Sequence, residues 1–199
     1  DKNLLEKKIN LEQEKIMPFI KQHFDENSKV LDLGSGTGQW AFRFSPLVKS
    51  VSLVEFSKEM MELAENNSKG KYNNLNFFLS EAQDFLINEF FDLIWISGLL
   101  IYLTDSELEK LISNCRKMLS KEGFLILRDG TGLGERYEIN NQFSSALGHN
   151  YSATYRTANE YIDEFKSGGF DLIEHSDVFE KGNPLNKWKE TRLRLYKFS

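Results

Sequence analysis

Short apolar blocks alternate with amphipathic stretches along this chain. Residues 30–33, 51–54, 75–79, 91–96 and 124–127 are mostly Val, Leu, Ile, Phe and Trp, interrupted singly by Asp32, Ser52, Asn76 and Asp92, and bounded by turn formers. They are too short for helices and predict buried strands. Between them the period lengthens. Leu5, Ile9, Ile16 and Ile20 share one helical face, and Pro18 is expected to break or kink that helix. Further helices are expected over 39–44, over 57–66 with Ser57 as N-cap, and briefly over 82–87. Thr104 with Glu107 forms a capping box opening a helix that carries Leu108, Leu111, Ile112, Cys115 and Leu119 on one face, with Gly123 ending it. A second box, Thr157 with Glu160, starts a helix closed by Gly168 and Gly169. Strands over 170–179 and 191–198 follow as a hairpin-like pair. Strands alternating with helices imply an α/β chain whose sheet is mostly parallel with right-handed crossovers. Ligands bind such sheets beyond the carboxyl ends of the strands.

The chemistry concentrates where the first strand runs into Gly34, Ser35, Gly36, Thr37 and Gly38. Glycine permits positive φ and brings bare backbone against a ligand, and the helix that follows presents free amides. The spacing is GxGxG, with Gln39 where a dinucleotide fingerprint needs a third small residue, and Asp32 sits where it would repel a pyrophosphate. A cationic amino-acid moiety suits that carboxylate better. Glu55, about 20 residues on at the end of the second strand, is placed to accept both hydroxyls of a ribose.

These residues resemble the class I S-adenosylmethionine-dependent methyltransferases over 30–129. The resemblance implies a Rossmann-like, mostly parallel seven-stranded sheet with helices on both faces, and S-adenosylmethionine as cofactor. It implies that Gly34, Ser35, Gly36 and Gly38 pass under the methionine part, that Asp32 reaches its ammonium, that Glu55 holds the ribose and that Phe56 lies against the adenine. Glu81, Ala82 and Gln83 match the stretch near the adenine amine, and Ser97 and Gly98 match the edge of the site. The runs Asp92 to Ile96, Tyr102 to Asp105 and Gln83 to Phe85 are similar to the protein α-N-terminal methyltransferases. The chain departs from that family at Gly98, where an aromatic residue stands, and at Gly130, where an Asn stands. Both positions belong to its peptide groove, so the expected acceptor is an oxygen or nitrogen atom of a small molecule or glycan, with a protein N-terminus as the alternative and a non-catalytic binding module as the reading of another class. A nicotinamide oxidoreductase is disfavoured by Asp32 and Gln39.

Composition narrows the partners. The 199 residues carry 25 Lys and Arg against 30 Asp and Glu, without a long basic run, so a phosphate backbone finds little attraction and nucleic acid is not expected. No apolar stretch approaches the roughly 20 residues of a bilayer span, and the charged start does not read as a secretory signal, so a cytoplasmic protein off the membrane is expected. One cysteine, Cys115, leaves no internal disulfide and no thiolate-built zinc site, and the chemistry calls for no metal. Cys115 and Trp95 read as core, and His23 and His175 as structural or surface histidines. The expected organisation is a single domain over 1–199, monomeric or homodimeric, with 1–24 as a helical lid and 130–156 as a substrate-covering insertion holding Tyr137, Phe143, His149, Tyr151 and Tyr155. An acceptor hydroxyl would need a base, and the candidates are His149, Tyr102 and Asp129, in that order; Asp129 would lead for an amine.

Overall fold

A computed structural model describes residues 2–144, 148–186 and 188–199, with side chains from residue 10 onward. Five parallel strands, β1 (Lys29–Leu33), β2 (Ser50–Glu55), β3 (Leu75–Leu79), β4 (Phe91–Ser97) and β5 (Leu119–Gly132), are joined by α2 (Ala41–Phe44), α3 (Lys58–Ser68), α4 (Asp105–Met118) and loops. A separate two-stranded ribbon, β6 (Tyr137–Ser144) with β7 (His149–Tyr155), precedes α5 (Ala158–Ser167). The antiparallel pair β8 (Leu172–Asp177) and β9 (Thr191–Phe198) completes a seven-stranded sheet of order β3-β2-β1-β4-β5-β9-β8. The order reverses between β1 and β4, and the carboxyl ends of those two strands flank the crevice where ligands bind in doubly wound sheets.

Alternation along the strands builds a core on each face. Leu31, Leu33, Ile94, Ile96, Leu125 and Leu127 point to the face covered by α4 and α5. Val30, Val51, Leu53, Leu93, Trp95 and Ile126 point to the other, against α2, Ala64 of α3, and Ile16 and Ile20 of the N-terminal helix α1 (Lys2–Lys21). Strands buried on both faces read as continuous apolar runs, which is why they stand out in the sequence. The capping boxes of α4 and α5 both form as expected.

Five local expectations are corrected. Helix α1 runs unbroken through Pro18 to Lys21. A proline there costs about 3 kcal/mol, but burying Ile16 and Ile20 returns about 1.5–3 kcal/mol each. The side chains of Leu5 and Ile9 lie outside the described residues. Residues 82–87 form turns, not a helix; Asp84 N–H reaches Glu81 O at 3.1 Å, and Ala82 and Phe85 are buried without the cost of nucleating a helix. Helix α4 ends at Met118, and Gly123 lies inside β5. A Cβ on Gly123 would sit 2.8 Å from Ser120 Oγ and 3.0 Å from Phe91 O, so glycine serves the irregular β4–β5 pairing there. Strand β5 extends far beyond 124–127, because β9 pairs with it from Leu125 to Gly132. Within 130–156, a stretch without clean periodicity that reads as a loop in sequence, the chain forms the β6–β7 ribbon. Of the described residues of its two strands only Ile139 and the facing Ala153 are buried, so the two-residue period is barely written in the side chains.

Candidate active site

The bend after β1 is fixed from three sides. The amides of Gly34 and Ser35 both donate to Val54 O, at 2.9 and 3.0 Å, tying the bend to β2. Gly34, Gly36 and Gly38 adopt φ of +72°, +55° and +83°. At Gly38 a Cβ would also strike the Phe42 ring at 2.7 Å, whereas at Gly36 it would meet nothing within 4 Å, so this residue presents open backbone. After the bend, Trp40 packs its ring at a tilt 4.5 Å from that of Trp95, seating α2 on the sheet.

Two carboxylates close around the bend. Glu55 is buried; its Oε2 accepts Gly36 N–H and its Oε1 accepts Ser57 N–H, both at 2.9 Å. The acid thus orients the glycine turn itself, and each oxygen keeps a lone pair for a further donor. Asp32 is almost fully buried. Burial pushes its carboxyl up to about 7, against the lowering effect of a hydrogen bond from the Ala41 amide, and Glu55 adds to the rise. Its Oδ2 and the Ser35 hydroxyl are buried without a hydrogen-bond partner among the described residues. A buried acceptor left unpaired costs about 1–3 kcal/mol, which a cationic donor would relieve.

The rim follows from the neighbouring strand ends. Ser80 N–H donates to Glu55 O at 3.1 Å, bringing the segment after β3 beside Glu55. There Ala82 and Gln83 are buried, and the Gln83 side chain donates to the exposed Glu81 carboxylate. Phe56, 70% exposed, and Met60 offer an uncovered apolar surface next to Glu55. Gly98, with φ +66°, donates to Arg128 O at 2.9 Å. Arg128 donates to Ser97 Oγ at 3.3 Å and pairs with Glu12 of α1. A cavity of about 380 Å³ is lined by Glu12, Arg128, Ser97, Trp40, Met60 and the bend itself.

Beyond Gly98 lies a second cluster. Asp129 is fully buried, and its oxygens accept Leu100 N–H and Gly130 N–H, each at 2.7 Å. Burial pushes its carboxyl up to about 6 against those amides. The 3-10 turn Leu100–Tyr102 that it anchors presents Tyr102, 53% exposed. Tyr155 and Tyr151 of β7 share a hydrogen bond, and burial with the nearby Tyr151, Tyr102 and Asp129 drives the Tyr155 hydroxyl up to about 12. Tyr102 is likewise raised by burial, then by Asp129 and Tyr151. At Gly130 a Cβ would sit 2.7 Å from the Tyr155 ring, so the missing side chain lets the ribbon pack onto β5. Arg156, also buried, donates to Leu100 O, Leu103 O and Asp105, clamping the whole 100–105 segment.

Residues 30–123 match a family model described as a methyltransferase domain. The chain is 32% identical over 103 residues to N-terminal Xaa-Pro-Lys N-methyltransferase 1 of Danio rerio, covering 50% of this chain and 46% of that protein. It is 26% identical over 166 residues to phosphoethanolamine N-methyltransferase of Plasmodium falciparum, covering 81% and 60%. Among solved structures, a S-adenosylmethionine-dependent methyltransferase from Leishmania major matches with a TM-score of 0.76 at 20% identity, covering 96% and 72%. The glycopeptide N-methyltransferase MtfA complexed with sinefungin matches with a TM-score of 0.72 at 15% identity, covering 94% and 92%. These matches support a class I S-adenosylmethionine-dependent methyltransferase fold around residues 30–123. The chain spans about half the length of the first of these curated relatives.

The site has donors and acceptors that fit S-adenosylmethionine. The unpaired Asp32 oxygen suits an ammonium group, and the open backbone at Gly36 together with Glu55 suits a ribose. The structure gathers Asp32, Gly34, Ser35, Gly36, Gly38 and Glu55 around one bend, with Phe56, Ser97 and Gly98 around its rim and Glu81, Ala82 and Gln83 following the adjacent strand end. Of the three candidates for acceptor chemistry it brings Tyr102 and Asp129 together. His149 is exposed at the start of β7, with Nδ1 2.8 Å from Asn150 O, and the side chains that face Asp129 are tyrosines instead. Glu12, Arg128 and Arg156 carried no signal in the sequence, since each gains its role from partners far away along the chain.

Proposed function

We propose that this chain transfers the methyl group of S-adenosylmethionine to a nitrogen or oxygen of a small molecule or glycan, with nitrogen favoured, held beneath the β6–β7 ribbon. The observation that carries this reading is the set of tyrosines, Tyr102, Tyr151 and Tyr155, gathered over buried Asp129 just past the Gly98 edge of the cofactor site. When bound, the cofactor supplies a methyl on a positively charged sulfur, so the protein gains most by aligning the acceptor and excluding water. The tyrosine hydroxyls, with those of Tyr102 and Tyr155 held neutral by their raised titration, hold and orient an amine through hydrogen bonds, and the Asp129 charge attracts the cationic form. Asp129 acts through the turn it anchors. In this reading residues 1–199 form one domain, with α1 and the 130–156 segment as the two halves of a cover.

A protein N-terminus is the second reading, favoured by the likeness to the N-terminal methyltransferase noted above. Incubation with methyl-labelled S-adenosylmethionine and two panels, small amines and glycans in one and peptides with free N-termini in the other, separates them. Label entering the first panel is expected. Label entering only the peptides transfers the assignment to the second reading, and label entering neither, with the cofactor bound, leaves the non-catalytic module.

A further inference from the structure

We infer that Arg128 is the anchor for the carboxylate of the cofactor's amino-acid end, and that Glu12 on α1 is a built-in competitor for it. The inference rests on the assignment of S-adenosylmethionine to this site. An α-amino acid presents a cation and an anion on one carbon, and the site has unmet capacity for both. Asp32 near the end of β1 keeps Oδ2 without a donor, and Arg128 within β5 keeps its buried Nε without an acceptor, among the described residues. Strand β4 lies between them in the sheet. By alternation Asp32, Trp95 and Arg128 point to the same face, the one α1 covers, since Leu31 and Leu127 face the opposite core and Ile126 this one. Arg128 lines the same cavity as Ser35, Gly36 and Thr37, and its Nη1 lies over Gly98, where a Cβ would be 3.8 Å away in ordinary contact.

Glu12 already pairs with one edge of Arg128, through Nη2, with both side chains largely buried. Nη1 makes a long 3.3 Å bond to Ser97 Oγ, and Nε makes none, so the guanidinium has donors to spare for a second carboxylate. Two carboxylates on one guanidinium repel each other, so the ligand's carboxylate weakens the bond that fastens α1 across the cavity, and fastening α1 weakens the ligand's hold. Arginine suits this role because its planar fork meets a carboxylate with directed, charge-assisted bonds.

Titration calorimetry with three ligands decides it: S-adenosylhomocysteine, its decarboxylated analogue, and 5′-methylthioadenosine, which lacks the amino-acid end. The unaltered protein is expected to bind S-adenosylhomocysteine at least tenfold more tightly than the decarboxylated compound, a loss typical of a removed charge-assisted pair. Arg128→Met should weaken S-adenosylhomocysteine by at least tenfold while leaving methylthioadenosine within about twofold, and Glu12→Gln should tighten S-adenosylhomocysteine about three- to tenfold. Equal affinity of the unaltered protein for the carboxylated and decarboxylated ligands overturns the anchor, and so does an Arg128→Met loss shared equally by methylthioadenosine. The comparison of ligands on the unaltered protein holds even where Arg128→Met fails to fold. Glu12→Gln binding no more tightly than the parent overturns the competitor. Failure of the unaltered protein to bind any of the three is a different result, and it removes the cofactor assignment itself.

Discussion

The bend after β1 and the tyrosine cluster over Asp129 lie on the same edge of the sheet, yet they are built in opposite ways. Around the bend, backbone does the work. Three glycines with positive φ, two amides on Val54 O and two more on Glu55 fix a shape before any ligand arrives. Over Asp129, side chains do the work: tyrosines from a ribbon, a half-exposed Tyr102 and an arginine clamp reach in from segments up to 56 residues apart. A site made of backbone tolerates little change and suits a ligand that never varies. A site made of side chains on an appended ribbon can be altered without disturbing the sheet, which suits the acceptor half.

Substitutions on the two halves should therefore separate affinity from turnover. The largest effect is expected at Glu55. Glu55→Ala removes the acceptor for Gly36 and Ser57 as well as the ribose contact, and should weaken S-adenosylhomocysteine about a hundredfold, near 2.8 kcal/mol, in calorimetry. A loss under about threefold would mean that the bend holds without its acid.

Asp32 comes next and separates affinity from stability. Its carboxyl titrates near 7 in the folded chain against 3.8 ordinarily, so its contribution to stability is fully present below about pH 4 and is lost as pH rises through about 7. Asp32→Asn should accordingly be more resistant to urea than the parent above pH 7, with the gap shrinking toward pH 4, while binding S-adenosylhomocysteine at least tenfold more weakly. For the parent, affinity should rise between pH 6 and pH 8 as Asp32 ionises to meet the ammonium. A pH-independent affinity would detach Asp32 from that group.

Smaller effects belong to the acceptor half. Tyr102→Phe or Tyr155→Phe should lower turnover about tenfold and leave S-adenosylhomocysteine affinity within about twofold, the cost of one lost orienting hydrogen bond. Parallel losses in both quantities would show that the two halves are one unit. The smallest effect is expected at His149, exposed near the end of the ribbon. His149→Ala should change turnover less than about twofold, and a tenfold loss with a flattened pH profile would restore the imidazole as base.

The contrast also marks what could be read from the chain. Strands 30–33, 51–54 and 91–96 announce themselves because sheets covered on both faces demand largely apolar runs, here broken only once in each by Asp32, Ser52 and Asp92. Asp32, the glycines and Glu55 are legible for a related reason: a positive-φ bend between a strand and a helix requires glycine, and a carboxylate at the end of the next strand has few other uses. Gly123 misled because a glycine beside an irregular strand pairing looks, in one dimension, like a helix stop. The ribbon of 137–144 and 149–155 was illegible because solvent bathes most of both its faces and, among the described residues, only Ile139 and Ala153 record its period.

By itself, then, the sequence determined the order along the chain of the seven sheet strands and the glycine bend, since those depend on neighbours within a few residues and on burial that shows in residue type. Only the tertiary structure decided that Glu12 meets Arg128, that Arg156 grips the 100–105 segment, and that tyrosines rather than a histidine face Asp129. Those contacts join residues up to 116 apart along the chain. Chain connectivity places no residue pattern at such distances, and it is the sheet order, with β5 beside β4 and the ribbon folded back over both, that brings them together.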